Sequence, residues 1–250
     1  MNKIKGPRAH DVRCTPRGVQ RALPVDAVLF DLDGTLADTA PDLGAALNRV
    51  RRDRGLEPVA LDTLRSSSSH GARGLLRVGM GVVPEDPDYR GLRDAFLAHY
   101  EAALCVDTKL FADVDVLLDA IEARSLKWGI VTNKAARYTT PLIERLGLDK
   151  RAVAVVCGDT TPFSKPHPAP LLAAAGILGV TPARCVYVGD AERDVTAGIA
   201  AGMCTIVARY GYIEAHEAPE TWPADGEIDH PGALLGGLPA ALINPDRRPR

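Results

Sequence analysis

Short apolar runs recur along this chain at intervals that suit an alternation of strands and helices. AVLF (27–30), WGIVT (128–132), AVAVVC (152–157), CVYVG (185–189) and CTIVA (204–208) are too short for buried helices and rich in valine. Such runs predict strands covered on both faces, as in a parallel sheet. The stretches between them carry helical spacing: VDVLLDAIEAR (114–124), YTTPLIERLG (138–147), PAPLLAAAGILG (168–179) and DVTAGIAAG (194–202). Strand followed by helix, repeated, predicts right-handed crossovers and an α/β fold built on a doubly wound parallel sheet.

One region breaks the rhythm. From about 43 to 108 the chain reads as helices without a strand: LGAALNRVRRDRG, LDTLRS, ARGLLRVG and YRGLRDAFLAHYEAAL, punctuated by Pro58, Pro84 and Pro87. An all-helical insertion after the first strand predicts a second, smaller domain at 43–108, set into a core formed by 24–42 and 109–240. Two passes of chain, near 40–43 and 106–111, would join them. Residues 1–23 are basic and lack the apolar centre of a secretory signal, so they are expected to be a disordered extension, with 241–250 as a tail.

The composition narrows the function classes. In 250 residues, 46% hydrophobic and 25% charged, a net charge of −2 gives no bulk attraction to nucleic acid or to an acidic membrane. No run of 18 apolar residues occurs. The five cysteines are scattered without CxxC spacing, which argues against a disulfide framework or a zinc site and predicts reduced thiols in a cytoplasmic protein. The expected partner is a small molecule, bound by a monomer or a homodimer.

In an open parallel sheet, ligands bind beyond the carboxyl ends of the strands. Those ends carry Asp31, Asp33, Gly34 and Thr35 after the first run, and Thr132, Asn133 and Lys134 after the second. Ser164, Lys165 and Pro166 follow the third, Gly189 and Asp190 end the fourth, and Asp194 lies one helical turn on. Converging carboxylates repel one another unless a cation sits among them. Oxygen ligands without histidine or cysteine favour a hard ion, Mg²⁺ where phosphate is also handled. With Lys165 as a fixed positive charge, the set suits a phosphoryl group held between Mg²⁺ and an ammonium.

In order, DLDGT, VTNK, SKP and GDAERD resemble the four motifs of the haloacid dehalogenase superfamily, with a likeness spanning 26 to about 235. That resemblance implies a Rossmann-like core with a helical cap inserted after the first motif. It implies Asp31 as nucleophile forming an aspartyl-phosphate, and Asp33 as general acid and then base. Thr132 and Asn133 would orient the phosphoryl group, with Gly34 and Thr35 beside it, and Lys165 would stabilise the nucleophile and the transferring charge. Asp31, the Asp33 carbonyl and Asp190 would hold Mg²⁺, with Asp194 either supporting the metal or only capping its helix.

Within that resemblance, both acids together favour phosphoryl chemistry over dehalogenation, and the absence of the histidine that sugar phosphomutases share soon after the first motif favours hydrolysis over a sugar phosphomutase. FDLDGTLADTAPDL and VGDAERDVTAG resemble the phosphoglycolate phosphatase group. GAR, TKLF, WGIVTNK and ARYGYI give a narrower likeness to the N-acetylmuramic acid 6-phosphate phosphatases. In the insert, Arg73 of HGARG either reaches a second anionic group of the substrate or lies on the surface. His70, Lys109, Arg209, Tyr210 and Tyr212 are further candidates for specificity. An idle phosphate-binding protein on the same scaffold stays as the alternative from another class.

Overall fold

The computed structural model describes residues 25–237, so the expectations for 1–23 and 241–250 lie outside the described residues. Strand β1 (Ala27–Phe30) is followed by the two-residue strand β2 (Ala37–Asp38) and by helices α1 (Ala40–Arg52), α2 (Leu61–Arg65), α3 (Gly71–Met80) and α4 (Tyr89–Ala102). Then come β3 (Lys109–Leu110), α5 (Val114–Ala123), β4 (Lys127–Val131), α6 (Ala136–Arg145), β5 (Ala154–Val156) and α7 (Ala169–Leu178). The chain continues through β6 (Cys185–Gly189), α8 (Glu192–Ala200), β7 (Cys204–Ala208), β8 (Gly226–Ile228) and α9 (Ala233–Gly237).

Six strands form one parallel sheet in the order β5-β4-β1-β6-β7-β8. The chain builds outward from β1 to β5 on one side and returns to complete the other. Its strand order therefore reverses at β1, which pairs Val28 with both Trp128 and Val186. That reversal opens a crevice at the carboxyl end of β1.

Alternation along each strand distributes the core over both faces. Val28 and Phe30 pack with Trp128, Ile130 and the apolar stripes of α5 and α6, whereas Ala27 and Leu29 pack with Val131, Tyr187 and α7. Both faces being covered explains the continuous apolar runs.

Helices α1 to α4 lie between β2 and β3, which pair antiparallel and bring the two passes of chain side by side, Ala37 opposite Leu110. Pro41 and Asp42 in the first turn of α1 and Arg49, Arg51 and Arg52 in its last turn suit a helix dipole. Leu43, Leu47, Leu75, Leu76 and Phe96 from these helices join the same apolar cluster as the α5–α6 face of the sheet.

The predicted strands and helices are all present, with shifted ends. AVAVVC shortens to Ala154–Val156, and α6 and α8 each start two residues earlier than expected. Strands β2, β3 and β8 were not foreseen. The first two have only two residues each, and GEI of β8 carries a central glutamate instead of an apolar run.

Candidate active site

Asp31 leaves the end of β1 with its backbone N–H donating to the Val188 carbonyl at 2.9 Å, so the central ladder fixes its direction. Its carboxylate is buried. Lys165, from the segment between β5 and α7, reaches it from below: Nζ lies 2.9 Å from Asp31 Oδ1 and 2.7 Å from Asp194 Oδ1. The same ammonium donates toward the Val131 carbonyl at 2.8 Å and the Tyr187 hydroxyl at 2.7 Å. The lysine backbone is clamped as well. Asn133 Nδ2 donates to the Lys165 carbonyl at 2.9 Å, and the Lys165 N–H donates to Asn133 Oδ1 at 3.0 Å. A flexible side chain is thereby held at both ends, which removes the entropy cost of positioning it during reaction.

Asp190 follows β6, and Asp194 sits in the first turn of α8, where it also accepts from the Ala191 N–H at 3.1 Å. Asp194 therefore bonds at the start of its helix and also belongs to the acidic cluster. Asp31, Asp190 and Asp194 each present an oxygen within 4.8 Å of the others, and all three residues are buried. Burial, reinforced by the Asp31 and Asp194 charges, pushes the Asp190 carboxyl up to about 8. Burial also raises Asp31, although Lys165 opposes it. For Asp194 the burial penalty is outweighed by Lys165 and Arg193, which hold its carboxyl below the usual range.

A carboxyl displaced that far upward marks a site with too little positive charge for its acids. The donor set, all oxygen, fits a hard divalent cation. Backbone geometry serves the same cluster. Gly34 has φ +83°, and a Cβ there would lie 2.1 Å from Asp190 Oδ2; a Cβ at Gly211 would lie 2.3 Å from Asp190 Cβ. Two glycines therefore let the chain close around Asp190, while the Tyr212 N–H donates to its Oδ2 at 2.7 Å.

Asp33 stands apart from that cluster. Its Oδ1 accepts from Thr39 Oγ1 at 2.6 Å and pairs with Lys134 Nζ at 3.0 Å. Lys134 in turn lies 3.0 Å from the Tyr100 hydroxyl of α4 and over the Tyr100 ring at 4.7 Å from its centre. Burial opposes the Lys134 charge, but Asp33 and Tyr100 prevail and hold its ammonium above the ordinary lysine value. Among the described residues the Asp33 carbonyl accepts no backbone hydrogen bond.

Asp31 and Asp33 open into a cavity of about 630 Å³ that Thr132, Asn133 and Arg73 also line. The helical insert closes over it. Arg193 of α8 donates to the Ser69 carbonyl and hydroxyl at 2.8 and 3.0 Å, and the Ser67 hydroxyl donates to Glu214 at 2.6 Å. Arg77 pairs with the same glutamate at 2.8 Å. The serine run thus docks the insert onto the core.

Some expectations change. Gly34 and Thr35 do not line the cavity; they lie behind it, Thr35 Oγ1 at 3.4 Å from Asp190 Oδ1, because the turn after β1 folds back on β6. The Asn133 amide is committed to Lys165, and Thr132 Oγ1 accepts the Lys134 N–H at 3.1 Å. Lys109, Arg209, Tyr210 and Tyr212 stay out of the cavity wall, their hydroxyl and charged groups being used elsewhere or exposed. Tyr212 bonds Asp38 at 2.7 Å, Tyr210 bonds the Thr35 carbonyl at 2.9 Å, and Arg209 faces Glu220. His70 does line it.

Lys134, Tyr100 and Arg193 join the site although none stood among the expected site residues. Lys134 was visible as a strand-end residue and Arg193 sits within GDAERD, but their partners come from the insert, far away in sequence.

Comparison with known proteins gives the family. Residues 28–208 match the model of the haloacid dehalogenase-like hydrolase family. The N-acetylmuramic acid 6-phosphate phosphatase of Pseudomonas aeruginosa is 40% identical over 224 residues, covering 90% of this chain and 99% of the relative. The phosphoglycolate phosphatase of Xanthomonas campestris pv. campestris is 42% identical over 219 residues, covering 88% and 98%. A crystal structure of a predicted phosphoglycolate phosphatase from Haemophilus somnus superposes with a TM-score of 0.74 at 26% identity, covering 85% of this chain and 97% of that one. CbbY from Rhodobacter sphaeroides, in complex with phosphate, gives a TM-score of 0.67 at 22% identity, covering 88% and 99%. The chain belongs to the haloacid dehalogenase-like hydrolases and, like these curated relatives, is a phosphatase.

Proposed function

We propose that this phosphatase is a Mg²⁺-dependent phosphomonoester hydrolase that works through an aspartyl-phosphate on Asp31. The supporting observation is the 2.9 Å contact of Lys165 Nζ with Asp31 Oδ1 at the mouth of the crevice. A carboxylate attacks an anionic phosphorus only when both charges are offset, and a buried ammonium supplies part of that. Asp31, Asp190 and Asp194, with the Asp33 carbonyl, would hold Mg²⁺, which when bound supplies the remaining charge neutralisation.

Asp31 then bonds to phosphorus as the P–O bond to the leaving group breaks, and Asp33 gives that oxygen its proton. In the second half, Asp33 takes a proton from water, whose oxygen attacks the phosphorus and releases Asp31 and inorganic phosphate. Thr39 and Lys134 hold Asp33 by one oxygen, which leaves the other for this exchange. Thr132 and Asn133 at the cavity floor would orient the phosphoryl group, Asn133 chiefly by fixing Lys165.

For the substrate, the proposed class is a small phosphorylated metabolite, with phosphoglycolate as the first reading. A cavity of about 630 Å³ lies in the range of pockets that enclose a whole sugar-sized ligand, and it favours N-acetylmuramic acid 6-phosphate as the second. The test is hydrolysis of a phosphate ester panel with Mg²⁺ and with EDTA. Activity that disappears in chelator and returns with Mg²⁺ is expected, and full activity in EDTA would overturn the metal assignment. A higher kcat/KM for the muramate ester would decide for the second substrate.

A further inference from the structure

One lysine of the core touches both the Asp33 carboxyl and the helical insert. Lys134 follows β4, and its backbone is fixed from several sides. Its N–H donates to Thr132 Oγ1 at 3.1 Å, while its carbonyl accepts from the Gly158 N–H at 2.9 Å and from Thr139 Oγ1 at 3.1 Å. Gly158 permits that close approach, since a Cβ there would lie 2.1 Å from the Asn133 carbonyl oxygen. From this fixed base the Lys134 ammonium lies 3.0 Å from Asp33 Oδ1 and donates to the Tyr100 hydroxyl at 3.0 Å.

Tyr100 belongs to the insert, in the last turn of α4, and is buried. Its ring is held independently of its hydroxyl, by Tyr138 of α6 with ring centres 5.8 Å apart and by the Lys134 ammonium 4.7 Å from the ring centre. Deleting the hydroxyl therefore leaves the ring in place, but it takes an acceptor from a largely buried ammonium. Asp33 in turn depends on that lysine. Thr39 Oγ1 and Lys134 Nζ both engage Oδ1, and among the described residues no other side chain bonds this carboxyl. Held by a hydroxyl alone, the carboxyl could turn about one contact; the clamped ammonium fixes it at a second. A proton is handed over only within hydrogen-bond reach, so that orientation decides whether Asp33 serves the leaving oxygen.

We propose that Tyr100 is a positioning residue for proton delivery to the leaving group: through Lys134 it sets the Asp33 carboxyl, so that the acid step in the core depends on a hydroxyl of the insert. Tyr100's role rests on the reading of Asp33 as general acid, and it carries a consequence of its own. Esters whose leaving oxygen must take the Asp33 proton as the P–O bond breaks need Tyr100, whereas esters whose leaving group departs as a stable anion do not.

The experiment measures kcat/KM with Mg²⁺ for 2,4-dinitrophenyl, p-nitrophenyl and phenyl phosphate, which are similar in shape and differ in how much the leaving oxygen needs a proton. That ratio ends at departure of the leaving group and omits the later attack by water. Tyr100→Phe is expected to lower the value for phenyl phosphate about fivefold and to leave 2,4-dinitrophenyl phosphate within about twofold. Lys134→Gln should give the same pattern more steeply, and adding Tyr100→Phe to it should cost less than about a further twofold, because the hydroxyl acts only through the ammonium. A loss in Tyr100→Phe that is equal for the three esters, or additive losses in the double variant, would overturn the proposal. Asp33→Asn is the separate check on the underlying reading and should show the steepest dependence on the leaving group. An equal loss for all esters in Asp33→Asn refutes the general acid itself, whereas a steep Asp33→Asn beside a uniform Tyr100→Phe refutes only the link to the insert.

Discussion

The floor and the outer wall of the cavity are made by opposite strategies. On the floor, three of the acids have an ammonium within hydrogen-bond reach: Lys165 joins Asp31 and Asp194, and Lys134 joins Asp33. All of these groups hang on strand ends or on segments clamped to them. In the wall, Arg73, Arg93 and Arg137 are exposed and sit on helices, two of them on the insert. Preorganised charge lowers a barrier only if it is already in place when the reaction begins, so the floor is rigid and crowded. The wall's arginines, by contrast, keep contact with water. The difference separates a buried, charge-paired floor, where the chemistry is proposed, from an exposed wall that carries arginines.

Breaking the floor at its centre should have the largest effect. Asp31→Asn removes the attacking charge while keeping shape, and turnover of any ester should fall by roughly a thousandfold or more. Circular dichroism should be unchanged, and near-normal hydrolysis would refute the nucleophile. Lys165→Met comes next. It strips the ammonium from Asp31 and Asp194, and breaking a buried pair in this way should cost about 3–5 kcal/mol of stability, read by urea unfolding in EDTA, together with activity.

Asp190 sharpens the contrast through pH. Its carboxyl, near 3.8 when unfolded and pushed up to about 8 in the fold, keeps a proton in the folded protein that the unfolded chain has lost. Between those values the folded state binds more protons, so stability of the metal-free protein falls as pH rises through that window. Asp190→Asn cannot ionise. In EDTA its stability relative to the parent should improve from pH 5 to pH 8 and level off above, as thermal unfolding at several pH values would reveal; a gap independent of pH would refute the burial argument. The smallest effect is expected at the seam between floor and wall. Tyr100→Phe deletes one hydrogen bond to Lys134, worth roughly 1 kcal/mol, and should lower kcat a few-fold with KM little moved. A change confined to KM would assign Tyr100 to binding instead.

Much of the floor could be read in advance because several of its residues stand at the ends of apolar runs. The pattern placed Asp31, Thr132 and Asp190 at strand ends, and parallel pairing brings strand ends to one edge. Strand β8 escaped that logic, since GEI has no apolar run, although Ile228 is buried in the core and the strand pairs with β7. Gly34 and Thr35 were misplaced to the cavity because their proximity to Asp33 in sequence says nothing about which way the turn folds. Lys134 and Arg193 stood in plain view within the motifs, yet the hydroxyls that engage them, Tyr100 and Ser69, are 34 and 124 residues away.

By itself the sequence determined the sheet, its covered faces, the helical insert and the acids with their lysine, because period, run length and residue type are local properties that hydrophobic burial and charge read directly. Only the tertiary structure decided which side chains pair across the cleft, that Asn133 holds Lys165, and that Ser69 of the insert meets Arg193 of the core. Those contacts depend on how the insert settles on the sheet, and packing of distant surfaces leaves no periodic trace in the chain.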